Sequence, residues 1–454
     1  MAYITKLEEE LELEILQLKL KLEQVRGFGK NKVIQGDCLE VLKGIPDNYF
    51  DSLITDPPAG ISFMGKNWDD HKGGMLQWIN WMSEVMAECL RTMKPGACGL
   101  VWSIPRTSHW TGMALELAGF RLIDCVHHCF GSGFPKGQDI SKHIDAIYKA
   151  EKEVVGRKNP HLDGSKRKVL KGFTGSVDLD YQGINLEDGT IPVTAPEAKQ
   201  WDGWKTPALK PAVEGWWLVQ KPISESSIAR NILKHGVGGI NIEACRIGTE
   251  TRINPPRTKG KTASMGSFAM CDGVDSVVSG RYPANLILSC GADCKGNNHS
   301  LDCPVSVIGE QSGICTSGGK KPYINGSIAK KCVASFSHGL DGKPRNYTSE
   351  TNTGTSARYF KQLPFDPETI YYQAKASTKD RSSNGVVENI HPTVKSTALM
   401  EYFIKLITPP NGMVLDPFGG SGTTGVAAKN LGFNYTLIER VQEYIEIINQ
   451  RLNN

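Results

Sequence analysis

The sequence predicts an α/β protein built on an open parallel sheet with helices on both faces. Three observations predict it. Residues 32–130 alternate short apolar runs with amphipathic segments, the pattern of βα units. The same alternation returns after residue 397. Within that second stretch, a glycine-rich turn at 419–425 joins an apolar strand to a helix, a junction where backbone must come close to another group.

The elements follow in order. Lys32 to Gly36 reads as a strand and Cys38 to Leu42 as a short helix. Phe50 to Thr55 (FDSLIT) is a strand that delivers Asp56 at its carboxyl end. Trp78 to Met93 is an amphipathic helix stopped by Lys94-Pro95-Gly96. Cys98 to Ser103 is a strand, Thr111 to Ala118 a helix and Phe120 to Val126 a strand. In the tail, Leu399 to Leu406 is a helix and Met413 to Asp416 a strand. A helix follows the glycine turn as far as Leu431, Tyr435 to Ile438 is a strand ending at Glu439, and Glu443 to Leu452 closes the chain as a helix.

Before this core, residues 5–26 carry Leu11, Ile15, Leu18, Leu22 and Val25 at steps of three and four, with Gly27 after them. We read them as a short coiled-coil arm that pairs two subunits. The alternative is a helix packed on its own domain. The middle, 151–370, is rich in Gly, Pro, Ser, Lys and Thr and poor in periodic segments. Residues 154–171, Arg257 to Lys261 and Lys320-Lys321 make it basic. So long an irregular stretch is expected to touch a ligand, the alternative being a disordered linker. The expected division is an arm at 1–27, a catalytic half at 28–150, an insertion at 151–370 and a cofactor half at 371–454.

The chain has 454 residues, 39% hydrophobic and 22% charged, with a net charge of +4. That balance permits a nucleic-acid partner without demanding one. No run of 18 apolar residues suggests a membrane span, and the acidic start does not read as an export signal. Twelve cysteines without such a signal are expected to be reduced thiols in the cytoplasm. Cys290, Cys294 and Cys303 with His299 invite comparison with a metal site. Their C-x3-C-x8-C spacing is looser than a usual zinc knuckle, so ordinary thiols and no metal are expected.

The segment 414–425 (VLDPFGGSGTTG) combines strand, glycine turn and helix start. Glu439 lies 23 residues beyond Asp416, where a carboxylate can accept hydrogen bonds from both hydroxyls of a ribose. Gly420-x-Gly422-x-x-Gly425 also satisfies the dinucleotide fingerprint, which alone is a weak signal. A nicotinamide-dependent oxidoreductase is disfavoured, because Asp416-Pro417-Phe418 puts a carboxylate and a ring where a pyrophosphate would sit. The rest of the sheet must also come from upstream, which suits a permuted strand order.

Asp56-Pro57-Pro58 follows its strand at the end where ligands of open α/β sheets bind. The prolines remove two backbone donors and leave carbonyls to face a ligand. A carboxylate and a carbonyl can each hold one hydrogen of an exocyclic amine, directing the nitrogen lone pair at an electrophile such as a methylsulfonium. Taken alone, the tetrapeptide reads equally well as a Pro-Pro turn with a capping Asp.

Together these segments resemble the DNA amino-methyltransferases in the class whose catalytic motif precedes the cofactor motif, and parts of the middle resemble a branch common in phages and prophages. The late motif, Asp416-Pro417-Phe418-Gly419-Gly420-Ser421-Gly422-Thr423-Thr424, matches the family pattern in full. His391-Pro392-Thr393-Val394-Lys395 resembles the family's HPTxKP segment, with Ser396 in place of its second proline, and Gly36-Asp37 resembles its Gly-Asp element. The resemblance covers about 30–135 and 355–454. It implies a Rossmann-like S-adenosylmethionine-dependent methyltransferase core, with double-stranded DNA as partner and a target-recognition role for the insertion. It also implies a cytoplasmic setting in a bacterial or phage-infected cell.

The same resemblance implies the roles of individual residues. Asp37, Asp56, Thr393, Lys395, Asp416, Phe418, Gly420, Ser421, Gly422, Thr423 and Glu439 would surround the cofactor. Asp56, Pro57, Pro58 and position 59 would be the catalytic motif. Phe63, Trp68 and Phe134 are candidates to line the base pocket, with core packing as the alternative for each. Asp56 favours adenine N6 over cytosine N4. RNA or protein-glutamine methylation and a DNA-binding protein without catalysis are the remaining alternatives. The chain departs from the family at Ala59, where an aromatic normally stacks on the base rotated out of the duplex. The expected result is a catalytically impaired variant with intact cofactor binding.

Overall fold

The computed structural model describes residues 29–65, 67–131, 137–148, 195–254, 276–291, 294, 298–301, 303–317, 352–364, 382–383, 387–388, 391 and 393–453. The expected arm at 1–27, Phe134 and the basic segments 154–171, 257–261 and 320–321 lie outside them.

Nine strands form one sheet. In chain order they are β1 (Lys32–Gln35), β2 (Phe50–Thr55), β3 (Met93–Ser103), β4 (Arg121–Phe130), β5 (Val213–Gln220), β6 (Leu286–Ser289), β7 (Lys361–Leu363), β8 (Met413–Asp416) and β9 (Asn434–Glu439). Their order across the sheet is β1-β9-β8-β2-β3-β5-β4-β6-β7. Every pairing is parallel except those of β5, which runs antiparallel to both β3 and β4.

Alternating side chains divide the core between two faces. Leu53 of β2 belongs to one buried cluster and its neighbour Ile54 to the other. The first face is covered by α1 (Cys38–Lys43), α2 (Met75–Thr92) and α3 (Ser108–Leu117). Trp78, Met82, Val85, Met86 and Cys89 recur at helical spacing along α2 and are fully buried. The second face is covered by α6 (Thr397–Ile407), α7 (Thr423–Leu431) and α8 (Gln442–Asn453). Helix α4 (Ile140–Ile147) and helix α5 (Pro304–Ser312) lie in the middle of the chain. No helix among the described residues is long and apolar enough to cross a membrane.

Three features differ from the sequence reading. The sheet is mixed rather than wholly parallel. The segment 151–370, expected as an insertion outside the core, gives β5, β6 and β7 to the sheet. Strand β5 (VEGWWLVQ) is buried on both faces, with Trp216 fully covered, so its apolar run is a core strand hidden in a Gly/Pro-rich neighbourhood. Finally, Lys94-Pro95-Gly96 does end α2, but it continues directly as a bulged start of β3. Phe50 pairs with Met93 while Ser52 already pairs with Cys98.

Candidate active site

Strands β1, β9, β8 and β2 are parallel neighbours, so the residues leaving their carboxyl ends stand side by side. These residues are Asp37, Glu439, Asp416 and Asp56, and they open on one cleft. A hydrogen bond from Gly36 N to the Glu439 carbonyl, 3.0 Å, ties two of these ends together. Asp37 also caps α1, its carboxylate accepting from Leu39 N at 3.0 Å.

The glycine loop after β8 is held from three sides. Gly419 N donates to the Ile438 carbonyl at 2.8 Å. The Glu439 carboxylate accepts from Gly420 N and from Val441 N, each at 2.8 Å. Buried Arg451 donates to the Ser421 carbonyl at 2.6 Å and to the Ser421 and Thr423 hydroxyls at 3.1 Å. Gly420 sits at φ +53°, and a Cβ there would stand 3.3 Å from His391 Nε2, so the loop passes His391 where a larger residue would crowd it. Gly422 does not line the cleft. At φ +80° it is the N-cap of α7, packed against Ile448.

Asp416 is 3% exposed. Its carboxylate accepts from Thr55 Oγ1 and Thr424 Oγ1 at 2.7 Å and from Phe418 N at 3.1 Å. Burial pushes its carboxyl up to about 7, against those hydrogen bonds. It therefore clamps the end of β2 to the loop.

Asp56 lies beside a buried charge group. Lys395 Nζ is 3.2 Å from its carboxylate, 3.6 Å from Glu214 of β5 and 3.9 Å from the ring centroid of Trp102. One cation thus faces two carboxylates. Burial pushes Asp56 up to about 6, with Lys395 opposing and Glu214 reinforcing the rise. Glu214 is held down at about 2, because the Lys395 charge, helped by His128, outweighs its burial.

Aromatic rings line the rest. Trp68 stacks on His391 with centroids 6.0 Å apart, and Tyr444 meets the same ring edge-on at 4.6 Å. Trp81 packs edge-on against Phe418 at 6.1 Å. The loop between β2 and α2 is organised by Asp69, which accepts from Gly60 N at 2.8 Å and Phe63 N at 2.7 Å. Ala59 is half-buried, and its carbonyl accepts from Thr107 Oγ1 at 3.0 Å.

Of the residues singled out from sequence, Asp37, Asp56, Pro57, Pro58, Ala59, Phe63, Trp68, Thr393, Lys395, Asp416, Phe418, Gly420, Ser421, Thr423 and Glu439 all line this cleft. Gly422 lies behind it, and Phe134 is outside the described residues. Sequence reasoning missed Glu214, Asp69, Trp81 and Tyr444. Only Glu214 carried a signal, as a lone acid opening the apolar run of β5.

A cleft at the carboxyl ends of a parallel-rich sheet, with an Asp-Pro-Pro turn and a glycine loop on it, defines a Rossmann-like methyltransferase core. The sequence model of the N6/N4 methyltransferase family, described as DNA methylase, matches residues 50–450, and the chain belongs to this family. It is similar to the type II methyltransferase M.HinfI of Haemophilus influenzae, with 45% identity over 84 residues, 18% of this chain and 23% of that protein. It is also similar to M2.LlaDCHI of Lactococcus lactis subsp. cremoris, 48% over 63 residues, 14% of this chain and 23% of that one. The chain thus spans less than a quarter of the length of these relatives. A structure of the M1.HpyAVI–SAM complex covers 93% of the chain, and the chain covers 99% of that structure, at 16% identity and a TM-score of 0.35.

Proposed function

We propose that the chain transfers a methyl group from S-adenosylmethionine to the N6 amine of an adenine rotated out of double-stranded DNA. The observation that carries this reading is the meeting of two distant segments. Asp56-Pro57-Pro58 at the end of β2 and the loop 416–423 with Glu439 face one cleft, although 360 residues separate Asp56 from Asp416 in sequence.

The residues present suit the cofactor. Glu439 lines the cleft at the end of β9, where its carboxylate would accept from a ribose. At φ +53° Gly420 lets the loop turn along the cleft without a Cβ that would crowd His391 at 3.3 Å. Phe418 and Trp81 offer an apolar wall. When bound, S-adenosylmethionine supplies an electrophilic methyl group on a sulfonium.

The chain's own contribution is to hold the amine. Ionised Asp56 accepts one of its hydrogens and the Pro57 carbonyl the other, so the nitrogen presents its lone pair. Lys395 keeps Asp56 ionised near neutrality against the pull of burial, and Glu214 fixes Lys395. Trp68 and Phe63 border the space the base would enter. Segment 151–370 supplies the DNA contacts, its Lys and Arg neutralising phosphates. Ala59 lacks the stacking ring, so base placement and turnover are reduced while cofactor binding is kept.

The test is sequencing for modified bases in DNA from cells expressing the chain and its Ala59→Tyr form. We expect N6-methyladenine in one short sequence context, denser with Ala59→Tyr. N4-methylcytosine would replace the adenine assignment, and unmodified DNA from both forms would overturn the proposal.

A further inference from the structure

Away from this cleft, near the β6–β7 edge of the sheet, four ligand-type side chains converge. The sulfur atoms of Cys290, Cys294 and Cys303 and a ring nitrogen of His299 all lie within 4.8 Å of one another. His299 Nδ1 is 3.5 Å from Cys290 Sγ and 3.7 Å from Cys303 Sγ. A tetrahedral zinc with bonds of about 2.3 Å to sulfur and about 2.1 Å to nitrogen has sulfur–nitrogen edges of about 3.6 Å and sulfur–sulfur edges of about 3.8 Å. The two His299–sulfur distances match its sulfur–nitrogen edge, and no pair of the four ligand atoms is more than 4.8 Å apart.

The alternatives explain less. A thiol–imidazole hydrogen bond accounts for one contact, not for three thiols gathered round one ring. A disulfide would remove two of the three, yet all three cysteines are free. The surroundings also fit ligand thiolates. Ser300 N donates toward Cys294 Sγ at 3.4 Å, and the Ser300 hydroxyl stands 3.6 Å from the same sulfur. Such donors orient and stabilise a metal-bound sulfur. The local core is small, its buried members being Leu288, Cys303, Val305 and Ala357. A core of that size gains from a metal cross-link.

We propose that Cys290, Cys294, Cys303 and His299 Nδ1 bind one zinc ion in a closed Cys3His structural site. All four positions are filled by protein, so the ion has no open position for catalysis. Each cysteine binds as a thiolate and gives its proton to solvent. The ion joins the chain leaving β6 to Cys303, the N-cap residue of α5. The linear spacing C-x3-C-x4-H-x3-C looks loose because it does not reveal that the four ligand atoms come together.

The full-length protein, purified without chelator or metal-affinity resin, is assayed for bound metals by mass spectrometry. We expect about one zinc per chain, lost in Cys303→Ser and in His299→Ala. If these variants precipitate, cobalt exchanged into the unaltered protein reports instead. Thiolate-to-cobalt absorption with tetrahedral visible bands supports the site. Zinc-free protein that also gives no such cobalt spectrum overturns it. So does a disulfide among the three cysteines, or zinc retained at full stoichiometry in soluble variants of both positions.

Discussion

Lys395 and Glu214 flank Asp56, and their effects on its carboxyl have opposite signs. Burial raises its pKa to about 6, Lys395 lowers it and Glu214 raises it. In the proposed reaction the form that holds an amine hydrogen is the carboxylate. Turnover is therefore expected to rise with pH through about 6 and to level off above it. The acid limb of kcat/KM in the free enzyme measures this. Lys395→Met should move that limb to higher pH and Glu214→Gln to lower pH. Shifts in the same direction would sink the charge assignment. Asp56→Asn keeps the shape but loses the anion. It should cut methyl transfer by at least about 100-fold, the lower range for an essential proton-handling group, while S-adenosylmethionine affinity measured by calorimetry stays within a few fold. Ala59→Tyr restores a stacking ring worth about 1–3 kcal/mol per base and should speed turnover about 5- to 150-fold in single-turnover assays.

At the scale of elements, the glycine loop is where sequence and structure agree most closely, because a loop that must pass near other groups can be built from few residues. Its motif was legible down to Gly420 and Glu439. What sequence could not convey was which members line the cleft and which hold the loop. Gly422, expected among the cofactor residues, is also the N-cap of α7, with a φ of +80° and a Cβ position 2.9 Å from Ile448. Gly422→Ala should destabilise the protein by about 2 kcal/mol in urea unfolding, from left-handed strain plus overpacking. Likewise Ser396, a departure from the family's proline, caps α6 through Leu399 N. Strand β5 stayed hidden for a different reason. Its pairing partners β3 and β4 lie more than 80 residues upstream, and a short apolar run does not announce a distant partner. Glu214, the second carboxylate of the charge group, was lost with it.

Over the whole molecule, the two faces of the sheet depend on β5 because it bridges β3 to β4. Trp216 is fully buried and meets Phe403 of α6 with ring centroids 5.0 Å apart. Trp216→Ala should cost about 3–5 kcal/mol in denaturant unfolding. Strand order has a further consequence for how the molecule comes into being. Strand β1 has β9 as its neighbour, and β8 and β9 separate it from β2. The first strand among the described residues is thus paired with one made about 400 residues later. At about 5–20 residues per second, a ribosome takes on the order of tens of seconds to cover that distance. During translation, Asp37 and Asp56 exist without the two strands that stand between theirs, so the cleft they line cannot be complete until synthesis has passed Glu439.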